Sequence, residues 1–318
     1  MEIANKDNII DGLGISKDVC KALSCLIQKK NIRPSTAIVM VGDNPASKIY
    51  VHKKIKKGAE IGIETKLFHF EANITENELI SEIKKINNDK SIHGLIVQLP
   101  LPEHIDTQKI LLSIDPKKDL DGLNQLNIGL FHSFKFVPYA LEDVLEDKLE
   151  TSTIKQLGEF VPFIPCTPLG CLHLISKTLG GFENIAGKNS VVIGKSTLVG
   201  SPMARLLLQS GATTTIAHSR SKDFSVALEN ADIIVSATGS EQDLFGIKPK
   251  ENAILIDVGI RCIESSNDDG EKVVHTCGDM DYKTLSQNNK ITPVPKGVGP
   301  MTVACLMVNS YLACLRNG

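Results

Sequence analysis

Two glycines, Gly194 and Gly200, form the pattern in this sequence that most directly implies chemistry. They follow the apolar run Ser190–Ile193, which is typical of a strand, and precede Pro202–Gln209, which is typical of a helix. The first glycine lets the backbone turn sharply, the second lets helix and strand approach closely, and the helix N-terminus offers free N–H groups to a phosphate. We therefore expect a dinucleotide site. A purely structural strand–turn–helix is the alternative, because Ser196 replaces the middle glycine of the usual fingerprint.

The charges near this turn indicate which dinucleotide binds. An NAD site usually has a carboxylate at the end of the second strand, where it accepts hydrogen bonds from the ribose. Here that strand ends with Ala217–Arg220 and has no carboxylate. Lys195, Ser219 and Arg220 could together hold the 2′-phosphate of NADP, which a carboxylate would repel. Arg220 alone could be a solvated surface charge, but the three residues together favour NADP.

Polar residues in the first part of the chain form a second candidate site. Tyr50 and Lys54 are four residues apart, which places them on one face of a helix. Gln98 lies near the carboxyl end of an apolar strand, where open α/β sheets bind ligands, and Asp121 lies at the turn that leaves this part of the chain. Lys54 could instead belong to a solvated basic face, since it lies in the run Lys53–Lys57, and Gln98 could be a satisfied core amide.

Alternating strand and helix patterns predict an α/β protein with two parallel-sheet domains and a cleft between them. We expect a catalytic domain at 1–129 plus 300–318, a connector with an insertion at 130–165, and a Rossmann-like NADP-binding domain at 166–299. The connector contains prolines, an acidic short surface helix at Leu141–Glu150, and too few apolar residues to close a core. The other predicted elements are Val19–Lys30, Ala37–Val41, Pro45–Ile61, Leu67–Phe70, Glu76–Asn87, His93–Leu99, Thr213–Ala217, Ile233–Ser236, Ile254–Val258 and an apolar closing helix, Met301–Leu315.

Length, charge and cysteine usage limit the class of protein. A chain of 318 residues suggests two domains, and a net charge of −2 gives no field that favours nucleic acid or an anionic membrane. We expect no membrane span and no signal peptide. The eight cysteines contain no C-x-x-C pair and the eight histidines show no ligand spacing. The expectation is a soluble, cytoplasmic protein with buried reduced thiols and no metal.

Over nearly its whole length the sequence resembles the bifunctional methylenetetrahydrofolate dehydrogenase/methenyltetrahydrofolate cyclohydrolase (FolD) family. The motifs that carry the resemblance occur in the family's order: Val41–Ser47 with Tyr50 and Lys54, His93–Pro102, Lys118–Gly122, Pro165–Gly170, Gly194–Pro202, Asp257–Ile260 and Ile291–Thr302. The resemblance implies NADP-dependent oxidation of 5,10-methylenetetrahydrofolate to 5,10-methenyltetrahydrofolate, followed by hydrolysis to 10-formyltetrahydrofolate. It also implies a homodimer and a role in one-carbon metabolism and purine biosynthesis.

The resemblance assigns a role to each candidate residue. Lys54 would be the catalytic lysine of the hydrolysis, with Gln98 hydrogen-bonded to it. Tyr50 would offer its aromatic face to the folate, and Asp121 would present two acceptor oxygens to the adjacent N–H donors of the pterin. The other expected folate contacts are Val97, Leu99, Pro295, Lys296, Gly297, Gly299 and Pro300. The expected cofactor contacts are Gly194, Lys195, Ser196, Gly200, Ser219, Arg220, Thr238, Gly239, Gly259, Ile260 and Thr302.

The chain departs from the family pattern at Lys296, where the family motif P-G-G-V-G-P-M-T has its first glycine. If φ is positive there, lysine costs on the order of 1–2 kcal/mol of strain. If φ is negative, the cost is steric, since the loop is expected to border the ligands. Alternatively, the ammonium could reach a substrate carboxylate or a cofactor phosphate. The stretch between Gly129 and Pro165 is also longer than in the family.

Three rival functions are compatible with parts of the pattern. A monofunctional dehydrogenase would be expected to lose the lysine chemistry, but Tyr50, Lys54 and Gln98 are all present. A different two-domain dehydrogenase, such as one that acts on shikimate, would lack the Asp119–Gly122 turn. A non-catalytic folate-binding protein would be expected to lose site residues, and only position 296 supports that interpretation.

Overall fold

The structure of the chain is a computed structural model that describes residues 6–135, 137, 139–148, 161–239, 244, 246–266 and 272–317. The chain divides into two compact units. The first unit comprises Lys17–Cys166 and Val303–Gly318, and the second comprises Met1–Ser16 and Thr167–Thr302. Both units are α/β with parallel sheets, which confirms the predicted fold class.

The unit boundaries differ from the predicted domains at the beginning of the chain. Residues before Lys17 belong to the second unit because they pair with its last strand: Ile9 forms a parallel bridge to Ile291, and the Ile10 N–H donates to the Ile291 carbonyl over 3.0 Å. The Asn8 side chain also donates to the Ser286 carbonyl over 2.9 Å. No sequence periodicity could indicate this pairing, since the partners are separated by most of the chain.

The first unit is built on a three-stranded parallel sheet in the order β2-β1-β3. All seven residues of the central strand β1 are buried. The helices and strands predicted for this part of the chain are present, with their ends moved by up to three residues, except that α1 begins seven residues earlier than predicted. They are α1 (Gly12–Lys29), β1 (Ser35–Val41), α2 (Pro45–Ile61), β2 (Glu64–Phe70), α3 (Glu76–Asn88) and β3 (Gly94–Val97).

Helix α2 has the bounds that its local sequence predicts. The Asn44 side chain accepts a hydrogen bond from the Ser47 N–H over 3.1 Å, and Pro45 occupies the first turn. The helix ends at Gly62, whose φ of 91° is the left-handed conformation that glycine adopts without strain. These two ends fix the rotation of the helix and therefore the direction of its polar face.

The segment before Asp121 lies beside β3. The Leu95 N–H donates to the Lys118 carbonyl over 2.6 Å, and the Leu120 N–H donates to the Leu95 carbonyl over 3.1 Å. This pairing, a parallel bridge between Leu95 and Asp119, brings Asp121 to the edge of the sheet at which β3 ends.

The described part of the connector belongs to the first unit and contributes to its interior. Three helices lie before and within it: α4 (Thr107–Ser113), α5 (Gln125–Ser133) and α6 (Leu141–Leu145). The acidic segment forms the short helix α6, but Leu141 and Val144, three residues apart on one face, are buried. Lys29 and Lys30 form ion pairs with Asp147 at 3.0 and 2.7 Å, which tie the segment to the end of α1. Glu150 lies outside the described residues.

The second unit contains a five-stranded parallel sheet and a two-stranded antiparallel hairpin. From one edge to the other, the strands of the parallel sheet are Lys290–Ile291 (β10), Ile254–Asp257 (β7), Ile233–Ser236 (β6), Asn189–Ile193 (β4) and Thr213–Ala217 (β5). In chain order, the elements are α7 (Cys166–Leu179), β4 (Asn189–Ile193), α8 (Gly200–Gln209), β5 (Thr213–Ala217), α9 (Ser225–Glu229), β6 (Ile233–Ser236), β7 (Ile254–Asp257), β8 (Arg261–Ser266), β9 (Lys272–Cys277), α10 (Tyr282–Leu285) and β10 (Lys290–Ile291). The strands predicted here are present, as is helix α8, whereas helices α7, α9 and α10, the short strand β10 and the hairpin were not predicted.

The last helix, α11 (Val298–Asn317), corresponds to the predicted apolar closing helix, and its residues from Val303 onward belong to the first unit. By length and composition alone it could cross a membrane, so the expectation that no such segment exists was wrong on those criteria. Most of the helix is buried inside the structure, as in the core helix of a folded domain.

The described cysteines are free. Cys20, Cys166, Cys171, Cys305 and Cys314 are buried, as expected, whereas Cys25 is exposed and Cys277 is half-buried. In the part of the chain that the structure describes, no group of three or more His, Cys, Asp or Glu side chains is arranged to hold a metal ion.

Candidate active site

Lys54 and Gln98 form a hydrogen-bonded pair in the first unit. The Lys54 Nζ donates to the Gln98 Oε1 over 3.0 Å, and the Gln98 Nε2 donates to the Leu99 carbonyl over 2.7 Å. The pair meets because α2 follows β1, Gln98 follows β3, and the carboxyl ends of these neighbouring parallel strands lie at one edge of the sheet. Lys54 is half-buried while Lys53 and Lys56 are exposed, so the solvated-face alternative does not hold for Lys54.

This arrangement fixes the orientation of both side chains. The Gln98 amide directs its oxygen to Lys54 because its nitrogen is held by a backbone carbonyl. One bond from the Lys54 nitrogen therefore points at Gln98. Such a nitrogen can move protons at a reacting centre.

Tyr50 lies one turn before Lys54 on α2. It is half-buried, and the ammonium of Lys53 lies 5.5 Å from the centroid of its ring. The spacing of four residues places the aromatic ring and the Lys54 side chain on the same helix face, as the sequence predicted.

The turn at Asp121 contains two carboxylates with different surroundings. Asp119 is buried and accepts hydrogen bonds from the Asn124 N–H over 2.7 Å and from the Asn127 side chain over 2.9 Å. Burial raises the pKa of Asp119 to about 6. Asp121 is half-buried, so part of its carboxylate is accessible to a ligand. Gly122 is required beside it, because its φ is 66° and a Cβ there would lie 2.3 Å from the Phe163 carbonyl oxygen.

Cys166 is a member of this site that sequence reasoning gave no role. Its buried Sγ donates to the Leu120 carbonyl over 3.4 Å. Burial raises the pKa of the Cys166 thiol well above its ordinary value, the nearby Asp121 carboxylate raises it further, and the charge of Lys54 acts in the opposite direction. The thiol is therefore close to both Asp121 and Lys54, and its raised pKa favours the protonated form.

In the second unit, the two glycines of the predicted cofactor turn are both sterically required. Gly194 has a φ of 123°, and a Cβ there would lie 2.2 Å from the Ala237 carbonyl oxygen. A Cβ on Gly200 would lie 2.3 Å from the Gly194 carbonyl oxygen. Ser196 explains the missing middle glycine, because its hydroxyl accepts from the Val199 and Gly200 N–H groups at 3.2 and 3.4 Å and stabilises the turn. This close approach of backbone to backbone fits the phosphates of a dinucleotide.

The residues expected to bind the 2′-phosphate follow adjacent strands. Strands β4 and β5 pair Ile193 with Ala217, so Lys195 and the Ser219-Arg220 pair follow at the same edge of the sheet. All three are exposed, and the Arg220 N–H donates to the His218 Nδ1 over 3.1 Å within a tight turn. The described residues 194–201 and 217–221 supply two cations and no carboxylate, which fits a phosphate monoester better than a ribose diol.

The loops after β6 and β7 are organised around two buried carboxylates to which the sequence assigned no role. Asp279 accepts from the Ser236 hydroxyl over 2.6 Å and from the Thr238 hydroxyl over 2.8 Å. Asp257 accepts from the Asp279 and Met280 N–H groups over 3.0 and 2.9 Å, and burial raises the pKa of Asp257 to about 6.

The cofactor residues predicted on these two loops lie where the strands of the second unit end. Thr238 and Gly239 follow β6, and Gly259 and exposed Ile260 follow β7. Gly259 must be glycine, since a Cβ there would lie 2.2 Å from the Asp279 Oδ1. Open α/β sheets bind their ligands at this edge.

The remaining predicted contacts fall in several environments. Val97 is 3% exposed and part of the hydrophobic core, and Leu99 is half-buried. The Thr302 hydroxyl lies 3.0 Å from that of Thr167. Pro295, Lys296, Gly297, Gly299 and Pro300 lie in the second unit, around the start of α11. Their contacts with folate stay predictions.

Lys296 has a φ of 87°, so the strained alternative raised by the sequence is the one that holds. We expect Lys296→Gly to raise the free energy of unfolding by roughly 0.5–1 kcal/mol. Relief of about 1–2 kcal/mol of strain is partly offset by the greater entropy of glycine in the unfolded chain, about 0.4–1 kcal/mol. Urea denaturation of the two proteins measures the difference.

Lys296→Ala is the matched control, because it removes the charge but keeps the Cβ and hence the strain. Its unfolding free energy should stay near that of the wild type. An increase in Lys296→Ala equal to that in Lys296→Gly would contradict the strain argument. Unchanged dehydrogenase and cyclohydrolase rates in Lys296→Gly would make the residue neutral for catalysis.

The comparisons with known proteins agree with this geometry. Residues 10–121 match the family model described as tetrahydrofolate dehydrogenase/cyclohydrolase, catalytic domain, and residues 165–317 match the corresponding NAD(P)-binding domain. The chain is 41% identical over 316 residues to the bifunctional protein FolD of Wolbachia sp. subsp. Drosophila simulans, with 98% of this chain and 96% of the relative covered.

Solved structures give the same result. The bifunctional FolD methylenetetrahydrofolate dehydrogenase/cyclohydrolase of Campylobacter jejuni matches with a TM-score of 0.78 and 37% identity, covering 96% of this chain and 98% of that one. The N5,N10-methylenetetrahydrofolate dehydrogenase-cyclohydrolase of Trypanosoma brucei, complexed with NADP cofactor and inhibitor, matches with a TM-score of 0.80 and 31% identity, covering 99% and 98%.

Proposed function

The chain belongs to the tetrahydrofolate dehydrogenase/cyclohydrolase family, and we propose that its first unit binds and hydrolyses the folate while its second unit binds NADP. It is a bifunctional enzyme that oxidises 5,10-methylenetetrahydrofolate and hydrolyses 5,10-methenyltetrahydrofolate to 10-formyltetrahydrofolate. The observation that carries the proposal is the Lys54–Gln98 hydrogen bond within the part of the chain that matches the family's catalytic domain. The other classes considered above are not favoured.

The oxidation requires alignment rather than an acid or a base at the reacting carbon. Bound NADP⁺ would supply the acceptor for the hydride that leaves the methylene carbon of the substrate. The Gly194–Gly200 turn holds the cofactor's phosphates, and Lys195 with Arg220 neutralises the 2′-phosphate. Asp121 accepts the adjacent N–H groups of the pterin, and Tyr50 contacts its ring system.

The hydrolysis requires proton transfer, and Lys54 supplies it. Water adds to the cationic methenyl carbon, and the Lys54 nitrogen, in its neutral amine form, takes one proton from this water and releases it to solvent. The second proton passes to N5 of the tetrahydropterin ring as the bond between N5 and the former methenyl carbon breaks. The formyl C=O forms at the same time, and the formyl group stays on N10. Gln98 keeps the Lys54 nitrogen in a single orientation throughout these steps.

An assay with purified enzyme tests the oxidation. The enzyme is mixed with 5,10-methylenetetrahydrofolate and either NADP⁺ or NAD⁺, and the absorbance of the reduced nicotinamide is followed. We expect NADP⁺ to be reduced with a kcat/KM at least about tenfold above that for NAD⁺, because one charge-assisted contact to phosphate contributes about 1.5–3 kcal/mol. Absence of folate-dependent reduction of NADP⁺ would refute the proposal.

The role of Asp121 predicts a selective loss of folate affinity. Asp121→Ala should raise the Kd for tetrahydrofolate about 10- to 100-fold, because a hydrogen bond to a charged group contributes about 1.5–3 kcal/mol. The Kd for NADP should not change. Asp121→Asn keeps one acceptor oxygen and should give an intermediate Kd. Calorimetric titration of the three proteins with each ligand measures this, and an unaltered folate Kd in Asp121→Ala would contradict the assignment.

We also propose that the enzyme is a homodimer. The support comes from the second unit, in which β5 forms an edge of the sheet and leaves Ile216 46% exposed. Leu208 on α8 is 54% exposed. An edge strand with exposed apolar neighbours can pair with a second copy. Light scattering on the purified protein tests this, and a monomeric mass at micromolar concentration would contradict it.

Two further parts of the proposal concern cellular context. The free, buried thiols Cys166 and Cys171 support a location in the cytoplasm, where thiols stay reduced. The resemblance to the family supports a role for the product, 10-formyltetrahydrofolate, in purine biosynthesis.

A further inference from the structure

We propose that Tyr139 and Asn309 are positioning residues for the folate-binding carboxylate of Asp121, and that they act through the peptide group between Leu120 and Asp121. The inference rests on the proposed role of Asp121. It gives a function to the connector, from which Tyr139 comes.

Asn309 lies on α11 and is fully buried. Its Nδ2 donates to the Leu120 carbonyl over 2.8 Å and to the Ile164 carbonyl over 3.1 Å, and its Oδ1 accepts from the Tyr139 hydroxyl over 2.9 Å. The Tyr139 hydroxyl in turn accepts from the Ile164 N–H over 3.0 Å. The amide therefore uses both ends, and in a buried network each bond supports the others.

The network holds the backbone at Asp121. The Leu120 carbonyl belongs to the peptide group whose nitrogen is that of Asp121, and it accepts from the Asn309 Nδ2 and from the Cys166 Sγ. The Leu120 N–H is held by the Leu95 carbonyl. Because the peptide groups on both sides of Leu120 are fixed, the Asp121 side chain leaves the backbone in one direction.

The Tyr139 hydroxyl and the Leu120 and Ile164 carbonyls together set which way the Asn309 amide faces. If the amide rotated by half a turn, its oxygen would face the Leu120 and Ile164 carbonyl oxygens and its nitrogen would face the hydroxyl. A donating hydroxyl at Oδ1 favours the observed orientation. Burial raises the pKa of Tyr139 well above its ordinary value, so this hydroxyl keeps its proton.

The Tyr139→Phe variant tests the inference, because it removes the hydroxyl and keeps the ring. We expect the Kd for tetrahydrofolate to rise roughly tenfold, as for the loss of a buried hydrogen bond, with the Kd for NADP unchanged. Tyr311→Phe is the matched control: Tyr311 is a second buried tyrosine, 2% exposed, on α11. Its folate Kd should stay at the wild-type value.

A double-variant cycle separates positioning from general destabilisation. If Tyr139 acts through Asp121, Tyr139→Phe should have almost no further effect on the folate Kd in the Asp121→Ala background. Equal effects of Tyr139→Phe in the two backgrounds would overturn the inference. So would an unchanged folate Kd in a Tyr139→Phe protein that still binds NADP.

A milder variant covers the case in which Tyr139→Phe does not fold. Cys166→Ala removes the second donor to the Leu120 carbonyl and should raise the folate Kd about twofold, as expected for a weak thiol donor. If Tyr139→Phe fails to bind NADP, an unchanged folate Kd in Cys166→Ala overturns the inference. If Asp121→Ala itself leaves folate binding unchanged, the proposed function of the site fails instead.

Discussion

Lys54→Met is expected to lower the cyclohydrolase kcat by at least about 100-fold, since a positioned general acid or base contributes about 10²- to 10⁴-fold. Methionine keeps the length and the apolar stem of lysine, so α2 and the ring of Tyr50 should stay in place. The nitrogen that Gln98 orients at 3.0 Å is lost, and nothing else on this face of α2 replaces it at the same point. Folate binding should change by less than about tenfold, because Asp121 and Tyr50 remain.

The measurement is the rate at which the methenyltetrahydrofolate absorbance disappears, corrected for the uncatalysed reaction. The Lys56→Met variant is the matched control: Lys56 lies two residues further along α2, and its side chain is exposed. Its kcat should equal that of the wild type. A Lys54→Met enzyme with more than about a tenth of the wild-type cyclohydrolase kcat would remove Lys54 from the mechanism.

Gly200→Ala is expected to raise the Kd for NADP by at least about 100-fold. A Cβ at this position would lie 2.3 Å from the Gly194 carbonyl oxygen and 2.8 Å from the Lys195 nitrogen, and both atoms belong to the backbone. A backbone contact cannot be relieved by rotating a side chain, so the turn must open. The close approach that positions the cofactor's phosphates is then lost.

The same variant should retain cyclohydrolase activity, because Lys54, Gln98 and Asp121 all belong to the first unit. Titration with NADPH, followed by its fluorescence, gives the Kd. Gly246→Ala is the control, since a Cβ at Gly246 would have no atom within 4 Å. Tight NADP binding by Gly200→Ala would show that the turn is structural only.

Local sequence signals were sufficient to predict much of the first unit. Asn44, Pro45 and Gly62 act within a few residues of themselves, so both ends of α2 could be predicted. The alternation of strands and helices indicated a parallel sheet, and this placed Lys54 near Gln98 because their strands end at one edge. The two glycines of the cofactor turn were predicted for the same kind of reason.

Features that depend on distant partners could not be predicted. Both acids of the Asp119–Asp121 turn look alike in sequence, and only the contacts with Asn124 and Asn127 show that Asp119 is the buried one. Tyr139 and Asn309 are 170 residues apart in sequence, and neither has a local pattern that marks it. The connector was predicted not to contribute to a core because it has few apolar residues of its own. In the structure those residues are buried by other parts of the chain, which the sequence of the connector alone does not indicate.

The most direct test of the central claim is the balance of products formed by the wild-type enzyme alone. The enzyme is incubated with 5,10-methylenetetrahydrofolate and NADP⁺ at a pH at which spontaneous hydrolysis is slow, and NADPH, methenyltetrahydrofolate and 10-formyltetrahydrofolate are quantified over time. A single bifunctional enzyme predicts one 10-formyltetrahydrofolate for each NADPH, with methenyltetrahydrofolate only as a transient. The account would be contradicted if NADPH formed while methenyltetrahydrofolate accumulated and was hydrolysed only at the uncatalysed rate.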